Sequence, residues 1–314
     1  MGYVLHSLLL VPYYSWQRSH AVHHSRTNHL TEGETHCPPV AGVTLGGAVC
    51  RVLHAVAGGL GVGAYQLVTH LLLGWPAYLL AGATGGPSRG FTNHFVPTSG
   101  KLFPGWKWKV KVLLSDVGVV ATACLVYYWA AAERLMSETS SGAFTSTSGG
   151  AAGGGWWTVA AVYGGPYLGV NFWLVFYTWL QHTDVDVPHL DGADWTWEKG
   201  AFLTIDRPYG AILDFLHHRI GSTHVAHHLC SRIPHYHARE ATEAIRGAFP
   251  AHYLYDPTPV WRALWRVATQ CVEVQKVDAN KAEGPTTLWM FFESEGIHTT
   301  TSTADGSGRK KKTK

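Results

Sequence analysis

Two short runs of this chain, His20-Ala-Val-His23-His24 and His224-Val-Ala-His227-His228, repeat one H-x-x-H-H pattern. On a helix, positions i, i+3 and i+4 lie on one face, so each run can aim three imidazoles at a common point. Neutral imidazole is the commonest metal ligand. A structural zinc is closed by four ligands and a catalytic zinc usually takes three. Six convergent histidines exceed what one such ion needs, and they point to two metal ions in a single site. That inference holds only if the two runs meet in space; each run alone reads equally well as an unrelated histidine-rich turn.

The elements that must bring them together are mostly apolar. Hydrophobic residues make up 46% of the chain and charged residues only 14%, against roughly 25% charged in an ordinary soluble domain. Fourteen Trp and fourteen Tyr suit helices that end at a lipid–water boundary. A formal net charge of +3 is too small to argue for nucleic acid. The five cysteines, at 37, 50, 124, 230 and 271, form no C-x-x-C pair and support neither a disulfide framework nor a thiolate zinc site. No signal peptide is evident in residues 1–10, which carry no basic segment.

Three apolar stretches approach the about 20 residues that a spanning helix needs. They lie at about residues 55–82, Val112–Ala132 and Trp156–Leu180. The second is flanked by Trp106-Lys-Trp-Lys-Val-Lys111, a cationic aromatic anchor for the cytosolic face, and is followed by a linker-like Ser/Thr/Gly tract at 137–155. With the third stretch, which opens on Trp156-Trp157, it makes a helical hairpin across the bilayer. Two His runs that share a site lie on one side, so the chain crosses an even number of times between them. The hairpin supplies two crossings, and residues 55–82 are too short for two more at 1.5 Å rise per residue. This segment also carries Gly58, Gly59, Gly61, Gly63, His70 and Pro76; it is expected to be re-entrant or interfacial. Residues 183–300 are soluble in character, with helical periodicity near 238–249 and 260–274. The fold class expected is all-α: an integral membrane helical bundle with a cytosolic helical cap carrying the histidines. Residues 301–314 form a basic tail of disordered composition. It ends Lys311-Lys-Thr-Lys314, a dilysine pattern that retrieves membrane proteins to the endoplasmic reticulum when the C-terminus is cytosolic.

The chain resembles the membrane fatty acid desaturases, specifically the omega-6 (delta-12, oleate-type) acyl-lipid desaturases. The likeness spans residues 1–300. It is carried by Trp179-Leu-Gln-His-Thr183, Pro188-His189, Thr204-Ile-Asp-Arg207, Thr223-His-Val-Ala-His-His-Leu229, Ile233-Pro-His-Tyr-His-Ala238, Ser7–Trp16 and Gly74-Trp-Pro76. The resemblance implies a non-haem centre of two Fe that activates O2, held almost wholly by histidine at the cytosolic ends of the bundle. The family's second box falls on His20, His23 and His24, its third box on His224, His227 and His228, and a further ligand on His182. The implied substrate is a phospholipid-linked acyl chain, with cytochrome b5 and its NADH reductase as electron donors in the endoplasmic reticulum membrane and a homo- or heterodimer left open. One departure stands out. The family's first box, of type H-[D/E]-C-x-H-H, has no counterpart here, because only nineteen residues precede His20. The expectation is a truncated gene model or fragment that lacks two or three ligands as written.

Breaking an alkyl C–H bond lies beyond acid–base side chains, so a cofactor carries the hard step while the protein orients it. Imidazole suits iron and zinc alike; iron is favoured because zinc has no redox chemistry. Ligand histidines usually give their second N–H to a carboxylate or carbonyl. Asp184, Asp186, Asp206 and Asp214 are candidates for that role, with Asp206 preferred and a helix cap its competing reading. His217, His218, His235 and His237 are expected to make structural hydrogen bonds, and His29, His36 and His94 to be ordinary surface or interfacial residues. Competing functions are a hydroxylase, acetylenase, conjugase or omega-3 desaturase on the same scaffold, or an inactive partner of a full-length desaturase. A zinc protease is disfavoured, since no H-E-x-x-H occurs.

Overall fold

The computed structural model describes residues 1–141, 155–281 and 284–291; the 142–154 part of the predicted linker and the 301–314 tail lie outside them. The chain is mostly helical. Helices α1 (Gly2–Leu8) and α2 (Tyr13–Ser25) precede a long loop that leads into α3 (Leu45–Val68). A single π-helical turn, Thr69–Leu73, joins α3 to α4 (Gly74–Ala81). Helix α5 (Gly105–Ser141) is followed by α6 (Trp156–Val159), a second π turn at Ala160–Gly164, and α7 (Gly165–His182). The remainder folds as α8 (Trp197–Phe202), β1 (Ile205–Asp206), α9 (Ala211–Leu216), α10 (His224–Leu229), α11 (His235–Ala248), β2 (Leu254–Tyr255), α12 (Val260–Gln270), β3 (Val274–Lys281) and β4 (Gly284–Phe291).

Three helical runs are long and apolar enough to cross a membrane by length and composition: Leu45–Ala81, Gly105–Met136 and Trp156–His182. The outward faces of these runs keep large apolar side chains exposed, among them Val56, Leu60, Val117, Leu125 and Leu168, as helices facing lipid do. The first run is not one straight rod. Gly58 breaks it with φ 59° and ψ −156°, a combination that residues with a Cβ avoid. The two ends of the run also come back to one place. The Cys37 N–H donates to the Thr84 carbonyl at 3.0 Å and the Gly86 N–H to the Gly33 carbonyl at 3.0 Å.

The core lies where α4, α7 and α12 meet, around Trp75, Tyr78, Phe176, Leu180, Leu264 and Val267. Helix α12 is strongly amphipathic and buries Ala263, Leu264, Val267 and Ala268, the i, i+1, i+4, i+5 stripe of a cap helix. The helical periodicity read to residue 274 in fact stops at Gln270, because Val274 opens a strand. β3 and β4 form an antiparallel hairpin in register Val274↔Phe291. It joins the body through the Val274 N–H to Pro39 O, the Ala41 N–H to Val274 O, and a bridge between His189 and Trp289. A two-residue parallel pair, β1 with β2, is the other sheet among the described residues.

Candidate metal centre

All seven candidate histidines converge. They arrive on three segments: α2, the C-terminal turn of α7, and the short α10. Within this group, His20, His24 and His227 form one trio and His23, His182 and His228 another. In each trio one ring nitrogen from every residue lies within 4.8 Å of the others. His224 joins the second set, with Nε2 3.0 Å from His182 Nε2. The His23 and His182 Nε2 atoms are 3.1 Å apart, and those of His20 and His24 are 3.2 Å apart. The trios adjoin, since the His24 and His228 rings stack at 4.3 Å. The first trio is half-buried and the second fully buried.

Burial sets the charge state. Desolvation, with neighbouring imidazoles adding to it, pushes His20 down to about 4 and His24 to about 3. His23, His224 and His228 go well below the ordinary imidazole value for the same reason. These rings are neutral at pH 7, the form a metal binds.

The hydroxyl of Thr27 fixes one ring. It donates to the His23 carbonyl at 2.7 Å, which uses its only proton. At 3.0 Å from His228 Nδ1 it can then only accept, so Nδ1 carries the hydrogen and Nε2 keeps its lone pair. That Nε2 is buried with no partner. A lone pair held out of water without a donor is costly, and a metal ion removes the cost. The donor set therefore fits a metal. Thr35 Oγ1 lies 2.7 Å from His23 Nδ1 and orients that ring.

Asp206 does the other job weighed for it. Its carboxylate accepts from the His224 and Val225 N–H groups at 2.5 and 2.9 Å and from Tyr253 Oη at 2.7 Å. It caps the first turn of α10 and touches no imidazole, and burial raises its pKa to about 6. Asp184 also serves at a distance. It pairs with Arg207 and Arg266, each at 2.5 Å, and so ties the residues just after His182 to those just after Asp206. Asp214 binds Ser222 Oγ at 3.0 Å, and Asp186 is exposed. Carboxylates were expected behind the ligand rings; two threonines and main-chain geometry take that place.

Of three histidines expected at the surface or interface, two are inside and His36 is half-buried. His94 and His29 are 0% and 5% exposed. His36 stacks on His182 at 5.5 Å with 8° between planes. It is the packing of the 27–37 loop against α4 and the 83–94 loop that encloses them. His189, also 1% exposed, has both ring nitrogens unpartnered; its place in the Pro188-His189 match was the available signal. His217 bonds Tyr177 Oη at 3.0 Å, His218 packs on His235 at 4.5 Å, and His237 meets Glu240 at 3.3 Å. These four stay out of both trios.

Comparison with known proteins agrees with this geometry. The fatty acid desaturase family model matches residues 1–259. The chain is 39% identical over 284 residues to a delta-12 fatty acid desaturase of Vernicia fordii, covering 90% of this chain and 66% of that one. It is 39% identical over 290 residues to a delta-12 acyl-lipid desaturase of Punica granatum, with the same coverage. It is 36% identical over 290 residues to an oleoyl-12-hydroxylase of Ricinus communis, again with 90% and 66% covered. No solved structure matches. The chain belongs to the fatty acid desaturase family. It spans about two thirds of the length of the curated relatives it matches.

Proposed function

We propose that this protein takes part in O2-dependent desaturation of acyl chains in membrane lipids, converting oleoyl to linoleoyl chains by delta-12 (omega-6) desaturation. The observation that carries the reading is the pair of adjoining histidine trios, with neutral rings and the unpartnered His228 Nε2 among them. Two iron ions bound there would supply the oxidising power that no side chain has. His20, His24 and His227 would hold one; His23, His182, His224 and His228 the other. Each double bond consumes one O2, two electrons and two protons and releases two waters. The electrons are taken to come from cytochrome b5 and its NADH reductase. The protein's own part is orientation: Thr27 sets the His228 tautomer, Thr35 orients the His23 ring, and Asp206 and Asp184 hold α10 against α7.

The proposed setting is the endoplasmic reticulum membrane, with the histidines on the cytosolic face. Leu45–Ala81 is read as re-entrant. Support comes from the Gly58 break and from the Cys37–Thr84 and Gly33–Gly86 hydrogen bonds, which bring both ends of the segment to one side. Glycosylation tags at residues 43 and 88 reporting opposite faces would refute it.

The hydroxylase relative favours a second reading, hydroxylation of the same chain on the same donor set. Expression in a yeast that makes oleate but no linoleate separates the outcomes. Linoleate supports the first reading and a hydroxylated C18 chain the second. Absence of any new acyl product, together with purified protein that retains no iron, sinks both.

A further inference from the structure

A cavity of about 750 Å³ lies one side chain away from the second trio, between α3, the Thr69–Leu73 π turn, the loop at 36–40 and the loop at 83–87. It reaches the histidines at His36, whose ring stacks on His182. Val40, Val43, Pro38, Trp179 and Phe291 give it a largely apolar wall. Several polar groups in that wall are already used. Thr69 Oγ1 donates to Tyr65 O at 2.8 Å and Thr31 Oγ1 to Asp191 at 2.8 Å. Thr44 Oγ1 accepts from the Gly47 N–H at 3.1 Å, and His70 Nδ1 donates to Gln66 O at 3.0 Å.

The Gln66 carboxamide is different. It lines the cavity, its residue is only 7% exposed, and among the described residues no donor or acceptor meets it. With no protein partner and access only to the cavity, its two donors and one acceptor are free for a ligand that enters there. A few polar groups in a largely apolar cavity fit a long apolar ligand that carries an acceptor at one end. Gln66 also sits on a helix long and apolar enough to cross a membrane, where a lipid is the available ligand. A π turn follows it directly, and such irregular turns occur often at functional sites.

We propose that Gln66 donates a hydrogen bond from Nε2 to the ester carbonyl of a membrane-lipid acyl chain seated in this cavity. The bond fixes the carboxyl end of the chain and so selects which methylene lies at the histidines. The selection of the methylene rests on the desaturase reading; the binding does not.

The test is lipid binding to the full chain in detergent, measured by native mass spectrometry. The probes are dioleoylphosphatidylcholine and its dioleyl diether analogue, which has the same chains and no carbonyls. Wild type is expected to bind the diester about five- to tenfold more tightly, the range of one neutral hydrogen bond. Gln66→Leu is expected to bind both lipids at the diether level, and Cys50→Trp, which fills the cavity, to weaken both. A wild-type ratio near one overturns the proposal without any variant. So does an unchanged ratio in Gln66→Leu. In a host where the protein forms linoleate, Gln66→Leu should spread the double bond over neighbouring positions. If no host yields product, the desaturase reading fails while the binding ratio still decides this one.

Discussion

Removing the hydroxyl of Thr27 while keeping its shape tests whether the second trio is a metal site oriented by its surroundings. Thr27→Val loses the bond to the His23 carbonyl at 2.7 Å and the acceptor for His228 Nδ1–H at 3.0 Å. Residue 27 is 2% exposed and His228 3% exposed, so water cannot replace either partner. Stranding a buried donor costs about 1–3 kcal/mol, and losing the partner behind a ligand typically lowers metal affinity about 10–100-fold. That fold-change equals about 1.4–2.8 kcal/mol, so both routes give the same size of effect. The assay is competition for Fe(II) against a chelator of known affinity, with unfolding followed in parallel. Thr27→Ser restores the hydroxyl and should recover affinity. Thr269→Val removes a comparable 2.8 Å bond to Trp265 O within α12, a helix that carries none of the seven histidines, and should leave affinity unchanged. If Thr27→Val binds iron as tightly as wild type, the derivation of the His228 tautomer is wrong.

Other changes have outcomes just as definite. Asp184→Ala leaves Arg207, which is 0% exposed, with Asp256 at 3.5 Å as its remaining carboxylate partner; a loss of about 3–5 kcal/mol is expected, read from the denaturant midpoint. Asp206→Ala uncaps α10 and should cost about 1–2 kcal/mol and reduce bound metal, since His224, His227 and His228 move with that turn; unchanged metal content would contradict the cap. Burial holds His94 and His189 at about 4 in the fold, against about 6.5 unfolded. The unfolded chain therefore binds more protons between those values, and stability falls as pH drops from about 6.5 towards 4. The slope should lessen in His94→Gln, measured on metal-free protein.

Much of the fold could be read from the sequence because lipid-facing helices and metal-binding helices both declare themselves by local periodicity. The hairpin of α5 and α7 follows from apolar length, and the convergence of α2 and α10 from the repeated spacing. What could not be read depends on long-range contacts. β3 and β4 take their places by pairing with Pro39, Ala41 and His189, none of which is signalled within residues 274–291. The burial of His29 and His94 has the same origin: nothing local marks a loop that another loop will cover. Asp206 takes the cap, the second of the two roles open to it, because a carboxylate near ligands can bind an imidazole or cap a helix, and only the direction of the α10 N–H groups decides.

The repeated motif has a consequence that its residues alone imply and the geometry makes specific. Along a helix each residue turns about 100°, so i+4 lies about 40° from i on one side and i+3 about 60° on the other. An H-x-x-H-H run therefore splits its rings between two directions. In α2, His20 and His24 join the first trio and His23 the second. In α10 the split is reversed: His227 joins the first trio, while His228, with His224 against His182, serves the second. Each helix thus reaches both sets. If two ions bind, neither is held by one helix alone, and loss of a single ring should remove one ion rather than scale both down. His227→Ala is expected to lower bound iron from two per chain to one, leaving the buried set filled, and His23→Ala to do the converse. Zinc or cobalt loading by the metal-free protein, counted by mass, gives the same readout without turnover. Equal partial loss of both ions in either variant would mean that the trios are one shared cluster, and the assignment of rings to separate ions would fall.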